Sequence, residues 1–108
     1  MADPKLTPVE LRAPKGADQV EIDWEDGLTT RYTTDVLRGF CPSASWQGHQ
    51  GPVRYIEGGE TELLDIEEVG NYGLKLTWPD NNTGIYTFRF LRELGEIEGD
   101  PRPHEFGR

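Results

Sequence analysis

Apolar and polar residues alternate in two stretches of the chain that lie 54 positions apart. Every second residue is apolar in 20–24 (Val, Ile, Trp) and again in 74–78 (Leu, Leu, Trp). A period of two is typical of a strand with one buried face. Turn-forming residues follow both stretches, Asp26-Gly27 after the first and Pro79-Asp80-Asn81-Asn82 after the second. We therefore predict two β-hairpins, each completed by a second strand.

The two stretches belong to an internal repeat. Residues 20–40 align without gaps on residues 74–94, and seven of the 21 positions are identical. Each copy predicts a strand, a turn, a strand and a short helix, with a threonine at the helix N-cap position and Gly95 as the stop of the second helix. The identical pairs are Trp24/Trp78, Asp26/Asp80, Thr29/Thr83, Tyr32/Tyr86, Thr33/Thr87, Leu37/Leu91 and Arg38/Arg92.

The remaining segments carry weaker patterns. Apolar residues predict an opening strand around Val9 and Leu11, and further short strands within 53–56 and 63–69. The stretch 41–52 has the composition of a loop. Together these elements predict an α+β fold, a small sheet of about six short strands with two short helices on one face.

The chain has the length of one domain. Its 108 residues carry enough apolar side chains for a small core. We expect a flexible N-terminus at 1–5, a single domain at 6–95 and a flexible tail at 96–108, where the composition offers little to bury.

Charge and cysteine content restrict the partners and the compartment. Eleven basic and twenty acidic residues give a net charge of −9, which disfavours nucleic acid and anionic membranes as partners. Residues 57–68 hold six acids and no base, so this segment is either a solvated edge or a docking face for a basic partner. The cytoplasm is the favoured compartment, because the chain has a single cysteine, Cys41, and shows neither a signal peptide nor an apolar run of membrane length.

Three motifs carry a resemblance to a known family. They are PSA…QGH at 42–49, VGNY at 69–72 and TGIYTFRFLREL at 83–94. With these motifs, residues 6–95 resemble the gamma-butyrobetaine hydroxylase-like N-terminal domain family, and above all its small stand-alone bacterial members. The resemblance implies an accessory domain, because the hydroxylases of this family carry their catalytic iron in a separate dioxygenase domain. We therefore expect no independent enzymatic activity.

The resemblance also implies that a zinc site has decayed. Zinc-bearing relatives use three cysteines and one histidine, and these positions correspond here to Cys41, Ser43, Trp46 and Asn82. Only the first retains a good zinc ligand. We expect no bound metal or other cofactor, with zinc or iron at Cys41 and His49 as the alternative.

Several other side chains have both a structural and a functional interpretation. Trp24 and Trp78 are expected in the core, and Asp26 and Asp80 in turn hydrogen bonds instead of acid–base chemistry. The candidates for contact with a ligand or partner are Cys41, Trp46, Gln47, His49, Arg38 and Arg92. Four of them have a structural alternative: packing for the cysteine, loop hydrogen bonds for the histidine, and ion pairs or solvent for the two arginines.

These observations lead to one functional expectation and one alternative. We expect a non-catalytic accessory or interaction domain that binds a protein partner, linked to iron, iron–sulfur or hydroxylase-type metabolism. The alternative is a metal- or small-ligand-binding domain centred on residues 41–49. A homodimer is also compatible with a small core that leaves sheet edges free.

Overall fold

Each copy of the repeat forms a three-stranded antiparallel sheet that ends in a helix. The computed structural model describes residues 3–13, 16, 18–48, 51–80 and 82–107, with only the backbone at Ala44 and Ser45. The elements in chain order are a 3₁₀ turn at Pro4–Leu6, β1 (Pro8–Arg12), β2 (Gln19–Trp24), β3 (Thr29–Thr33), α1 (Thr34–Gly39), α2 (Ala44–Gln47), β4 (Val53–Arg54), β5 (Asp65–Val69), β6 (Gly73–Thr77), β7 (Thr83–Thr87), α3 (Phe88–Gly95) and β8 (Glu105–Phe106).

The two hairpins share one register. Val20 lies opposite Tyr32 in the pair β2–β3, and Leu74 lies opposite Tyr86 in the pair β6–β7, so equivalent residues pair in both copies. The helices begin alike, on the extended backbone of Thr33 and Thr87. Only the Thr87 side chain caps its helix, where its Oγ1 accepts from the Phe90 backbone N–H at 3.1 Å.

Strands β1 and β5 add a third strand to each copy. Leu11 pairs with Ile22, and Ile66 pairs with Leu76. The inner residues of the two pairs, Ile22 and Leu76, are 54 positions apart, but the edge residues, Leu11 and Ile66, are 55 positions apart. Strand β1 also has an irregular register near Pro8. A comparison at one fixed offset therefore finds the hairpins and the helices but not these edge strands.

The core draws on both copies. The inward residues of β2 and β6 are buried together with apolar residues of α1 and α3, and Trp24 and Trp78 are 2% and 1% exposed. The α+β class is confirmed, but the strands of the described residues divide among three sheets, β1-β2-β3, β5-β6-β7 and β4-β8, instead of lying in one. A strand can bury a face against another sheet as well as against a helix, and the alternating pattern is the same in both cases.

Segments expected to be irregular contain regular structure. The predicted loop 41–52 includes α2, and the predicted tail 96–108 includes β8. Phe106 in β8 is 7% exposed, with its ring 5.4 Å from Phe40 and 5.2 Å from Phe90. Burial of one phenylalanine side chain contributes about 1.5–3 kcal/mol, so this segment has more to bury than its composition indicates.

Helix α3 ends at Gly95, where the sequence predicts its stop, and it ends without a left-handed residue. The capping residue Glu96 has right-handed backbone angles, φ −86° and ψ −8°. A Cβ at Gly95 would lie 2.5 Å from the Thr30 Cβ, so position 95 is small because the helix end approaches β3 closely. No helix in the described part of the chain is long and apolar enough to span a membrane.

Candidate functional site

The two copies exchange polar contacts. The Tyr32 hydroxyl donates to the Leu91 carbonyl oxygen at 2.6 Å, and the Tyr86 hydroxyl donates to the Leu37 carbonyl oxygen at 2.5 Å. Each tyrosine thus bonds to the helix of the other copy, and the two bonds are related by the 54-residue repeat. Burial raises the pKa of both phenols above the ordinary value, so the tyrosines remain protonated donors.

The arginines of the repeat cross in the same way. Arg92 in α3 donates two hydrogen bonds to Asp26 in the first turn, at 2.9 and 2.7 Å. Arg38 in α1 donates to Asp80 in the second turn, with Nη2 and Oδ2 2.5 Å apart. These bonds hold the pKa of both carboxyls below the ordinary value. Each aspartate also accepts a backbone N–H of its own turn, as the turn interpretation predicts.

The two ion pairs differ in their surroundings. The Arg92 side chain is 7% exposed and also contacts the Lys5 carbonyl oxygen at 3.2 Å and the Glu96 carboxylate at 3.4 Å. The Arg38 side chain is fully buried, and its Nε and Nη1 have no hydrogen-bond partner in the described part of the chain, whereas only the Nε of Arg92 lacks one there. The environment of Arg38 is therefore the less satisfied of the two.

Two further groups cover Arg38. Its guanidinium carbon lies 3.8 Å from the centroid of the Trp46 ring, a cation–π arrangement. On another side is Gly59, at φ +79°, where a Cβ would lie 2.7 Å from the same carbon. The absence of a side chain at 59 therefore lets the chain pass directly over the arginine.

The symmetry breaks near Cys41. In the first copy the Trp24 indole N–H donates to the Thr30 hydroxyl at 2.9 Å. The equivalent of Thr30 is Gly84, and a Cβ there would lie 2.8 Å from the Cys41 Sγ. The thiol thus occupies the space of the missing side chain, and the Trp78 indole N–H has no partner among the described residues.

Three of the four positions that the resemblance matches to zinc ligands of relatives lie together. The Cys41 thiol contacts the Ser43 hydroxyl at 3.7 Å, and that hydroxyl donates to the Asn82 amide oxygen at 3.4 Å. Trp46, at the fourth position, faces Arg38 instead and donates its indole N–H to the Gly39 carbonyl oxygen at 3.1 Å. One thiol with a hydroxyl and an amide does not fit a closed tetrahedral zinc site. No group of three or more His, Cys, Asp or Glu side chains able to hold a metal occurs among the described residues.

The Gln47 side chain links α2 to β4. Its amide nitrogen donates to the Arg54 carbonyl oxygen at 2.8 Å, and its amide oxygen accepts the Arg54 backbone N–H at 3.1 Å. The amide nitrogen also lies 3.4 Å from the Gly39 carbonyl oxygen. Gln47 is 7% exposed, so these bonds satisfy a buried amide. His49, the other candidate of the QGH motif, lies outside the described residues.

The structure therefore gathers Arg38, Cys41, Trp46 and Gln47 around the end of α1 and leaves Arg92 at the equivalent position of the other copy. Sequence reasoning missed the crosswise pairing of Arg38 with Asp80 and of Arg92 with Asp26. The signal was present, because all four residues are among the seven identities of the repeat. Gly59 was missed as well, since nothing in the sequence indicates what lies beneath it.

Fold and site define a class: a small α+β domain of two crosswise-linked copies with a polar cluster at one helix end. The family model described as "Gamma-butyrobetaine hydroxylase-like, N-terminal" matches residues 11–92. The chain belongs to this family. No curated protein matches the sequence.

Solved structures agree with this assignment. The chain is similar to a protein of unknown function of the DUF971 family from Acidithiobacillus ferrooxidans, with a TM-score of 0.68 and 32% identity, over 89% of this chain and 100% of the other. It is also similar to two proteins solved by NMR. One has a TM-score of 0.64 and 30% identity, over 88% of this chain and 74% of the other. The second has a TM-score of 0.63 and 28% identity, over 82% and 72%.

Proposed function

We propose that this domain is a non-catalytic accessory module that acts by binding another protein through its acidic segment, residues 57–68. The observation that carries the proposal is the exposure of this segment. All six of its acids are exposed, and the apolar Leu64, which lies between them in the segment, is 57% exposed. Glu67 alone of the six forms an ion pair within the described residues, with Lys75 at 3.2 Å. An unpaired negative surface attracts and orients a basic partner surface.

The polar residues of the repeat support the same proposal. The crosswise tyrosines and arginines each bond to the other copy, so we assign them to stabilising the domain instead of to catalysis. The family's description refers to gamma-butyrobetaine hydroxylase, and we extend the proposal to cytoplasmic partners in iron, iron–sulfur or hydroxylase-type metabolism. A second copy of the chain is a further candidate partner, which sedimentation over a concentration range tests.

Capture from an extract of the native host tests the proposal. The full chain serves as bait beside two triple variants that each change three exposed acids to lysine, so the net charge of both is the same. We expect specific proteins that bind the native bait and the control variant but not the test variant. Equal capture by all three baits, or capture of nothing above a blank bait, would contradict the proposal. The test variant is Glu57→Lys, Glu60→Lys and Glu62→Lys, and the control is Glu25→Lys, Glu93→Lys and Glu98→Lys.

A second candidate function is binding of a small ligand or metal at residues 41–49. The observation that favours it is a set of buried donors without acceptors in the described part of the chain: two nitrogens of Arg38 and the indole nitrogen of Trp78. Such donors complement an anionic or carbonyl-bearing ligand. Native mass spectrometry and elemental analysis of untagged protein from its host test this candidate. Protein with neither a retained small molecule nor near-stoichiometric metal contradicts it.

A further inference from the structure

The edge strands β1 and β5 border two adjacent depressions that share Leu11 and Ile66, and together these depressions form a groove. Each is the outermost strand of its sheet, and no strand in the described part of the chain pairs with its outer side. One depression, of about 160 Å³, is bordered by β1 and by Ile66, with Ile22 and Leu74 of the core at its base. The other, of about 400 Å³, lies beside Leu64.

The walls of the groove are apolar and exposed. Val9 and Leu11 of β1 are 63% and 38% exposed, and Leu64, next to β5, is 57% exposed. Three of the six large exposed apolar side chains in the described part of the chain thus border a single groove. A concentration of apolar surface beside free strand edges is typical of a binding surface.

The rim of the groove is acidic. Asp65 and Glu68 of β5 and Glu10 of β1 border the depressions and are exposed. Arg12, the base on β1, is held by Asp23, Glu21 and Glu10. These bonds, that of Asp23 first, raise the pKa of Arg12 above the ordinary value. Arg12 therefore stays charged, but three carboxylates surround this one base, so the field at the rim stays negative.

We infer that this groove binds an extended segment of a partner protein in which apolar residues alternate with lysine or arginine. Alternate side chains of an extended chain point to opposite sides, so the apolar ones enter the groove while the basic ones meet the acidic rim. The backbone of the segment hydrogen-bonds to a free strand edge. At this groove a second copy of the chain is a poor occupant, because a chain of net charge −9 does not complement an acidic rim. The inference specifies where and how the proposed interaction module takes its partner, and it rests on that proposal.

A synthetic peptide tests the chemistry of the groove. The probe is the capped, fluorophore-labelled heptapeptide Lys-Val-Lys-Ile-Arg-Val-Lys, measured by fluorescence anisotropy against the full chain. We expect the probe to bind. The rearranged peptide Lys-Lys-Lys-Arg-Val-Ile-Val, which has the same charge, should bind at least about tenfold more weakly. A probe methylated at alternate backbone nitrogens should lose a similar factor, because it cannot donate to a strand edge. Equal affinities for the three peptides would overturn the inference.

Variants of the protein locate the binding site. Val9→Ser with Leu64→Ser should weaken binding of the probe at least about tenfold, because both changes remove apolar wall. The matched control is Leu28→Ser with Ile85→Ser, two residues 38% and 43% exposed that do not border the groove depressions. All four residues are exposed, so both variants should fold. Equal losses in the two variants would overturn the assignment to the groove.

The same variants separate this inference from the proposed function. If the host protein captured through residues 57–68 binds the Val9→Ser, Leu64→Ser variant as well as the native chain, the groove is not its site and the inference fails, while the proposed function stands. If that capture is lost in this variant and kept in the control, both are supported.

Discussion

Removing the carboxylate charge that pairs with Arg38 should lower the free energy of unfolding much more than removing the carboxylate charge that pairs with Arg92. The perturbation is Asp80→Asn, with Asp26→Asn as its counterpart in the other copy. Asparagine keeps a side-chain oxygen that can accept the backbone N–H of the turn, so the change removes charge and leaves the turn bond. The two variants therefore compare the same change in two environments of one molecule.

The structure sets the magnitude. The Arg38 side chain is 0% exposed and Asp80 is the carboxylate it contacts, while its Nε and Nη1 lack partners in the described residues. A guanidinium cannot shed its charge at ordinary pH, so Asp80→Asn leaves a buried charge without a counter-ion. Removal of one partner from such a pair costs about 3 kcal/mol of the free energy of unfolding, at the low end of the usual range because Asp80 is 28% exposed. Arg92 retains Glu96 and the Lys5 carbonyl oxygen, so Asp26→Asn should cost clearly less.

A double-mutant cycle measures the coupling. Urea unfolding followed by tryptophan fluorescence gives the free energies of the native protein, Asp80→Asn, Arg38→Met and the double variant. Trp46 lies against Arg38 and reports on this region directly. We expect Asp80→Asn with Arg38→Met to be more stable than Asp80→Asn alone, because methionine removes the uncompensated charge and keeps an apolar stem.

Two results would refute this reasoning. One is an equal loss of stability in Asp80→Asn and Asp26→Asn, since the burial of the two arginines would then not control the effect. The other is an additive cycle, in which the double variant loses the sum of the two single losses. Unchanged m-values are required for either comparison, because they show that the unfolding reaction is the same.

Three further predictions concern the fold and its response to acid. Gly95→Ala should cost about 1–3 kcal/mol of unfolding free energy through overpacking against Thr30, whereas Gly107→Ala, where a Cβ meets nothing within 4 Å, should cost little; urea unfolding checks both. Gln47→Leu should cost about 1–3 kcal/mol by leaving buried backbone groups unpaired, and hydrogen exchange should show a less protected Arg54 amide. The depressed pKa values of the two crosswise aspartates predict stability that is complete above about pH 4 and declines as the pH falls below it; the decline should be shallower when both are asparagine, and an equal slope would contradict this.

Local features of the fold could be predicted because they depend on neighbours in the chain. The alternation of apolar residues and the turns at 26–27 and 79–82 identify two hairpins, since strand period and turn chemistry act over a few residues. The chain 44–47 was expected in a loop and is helical, and Phe106 was expected in a loose tail and is buried. The helix is held through Gln47 by Arg54, seven positions later, and Phe106 is held by the distant Phe40 and Phe90. A short segment by itself carries no sign of either partner.

The candidate site shows the same division. The repeat marks Arg38, Arg92, Asp26 and Asp80 as equivalent residues, but each arginine could equally have bonded within its own copy. The resemblance to zinc-bearing relatives placed Cys41, Ser43 and Asn82 in one site, and the structure brings these three together although the chain separates them by as many as 41 positions. That Trp46 packs half-buried over Arg38, by contrast, could not be read from the sequence, because the cover over Arg38 comes from two separate segments.

By itself the sequence determined the α+β class, the internal repeat, the negative charge and the family, because each of these is a property of residue order or composition. Only the tertiary structure decided that the copies bond crosswise, that Cys41 occupies the space left by Gly84, and that β1 and β5 border a common groove. These features arise where segments far apart in the chain meet in space. Their energies come from burial and charge pairing across that distance, which no local pattern encodes.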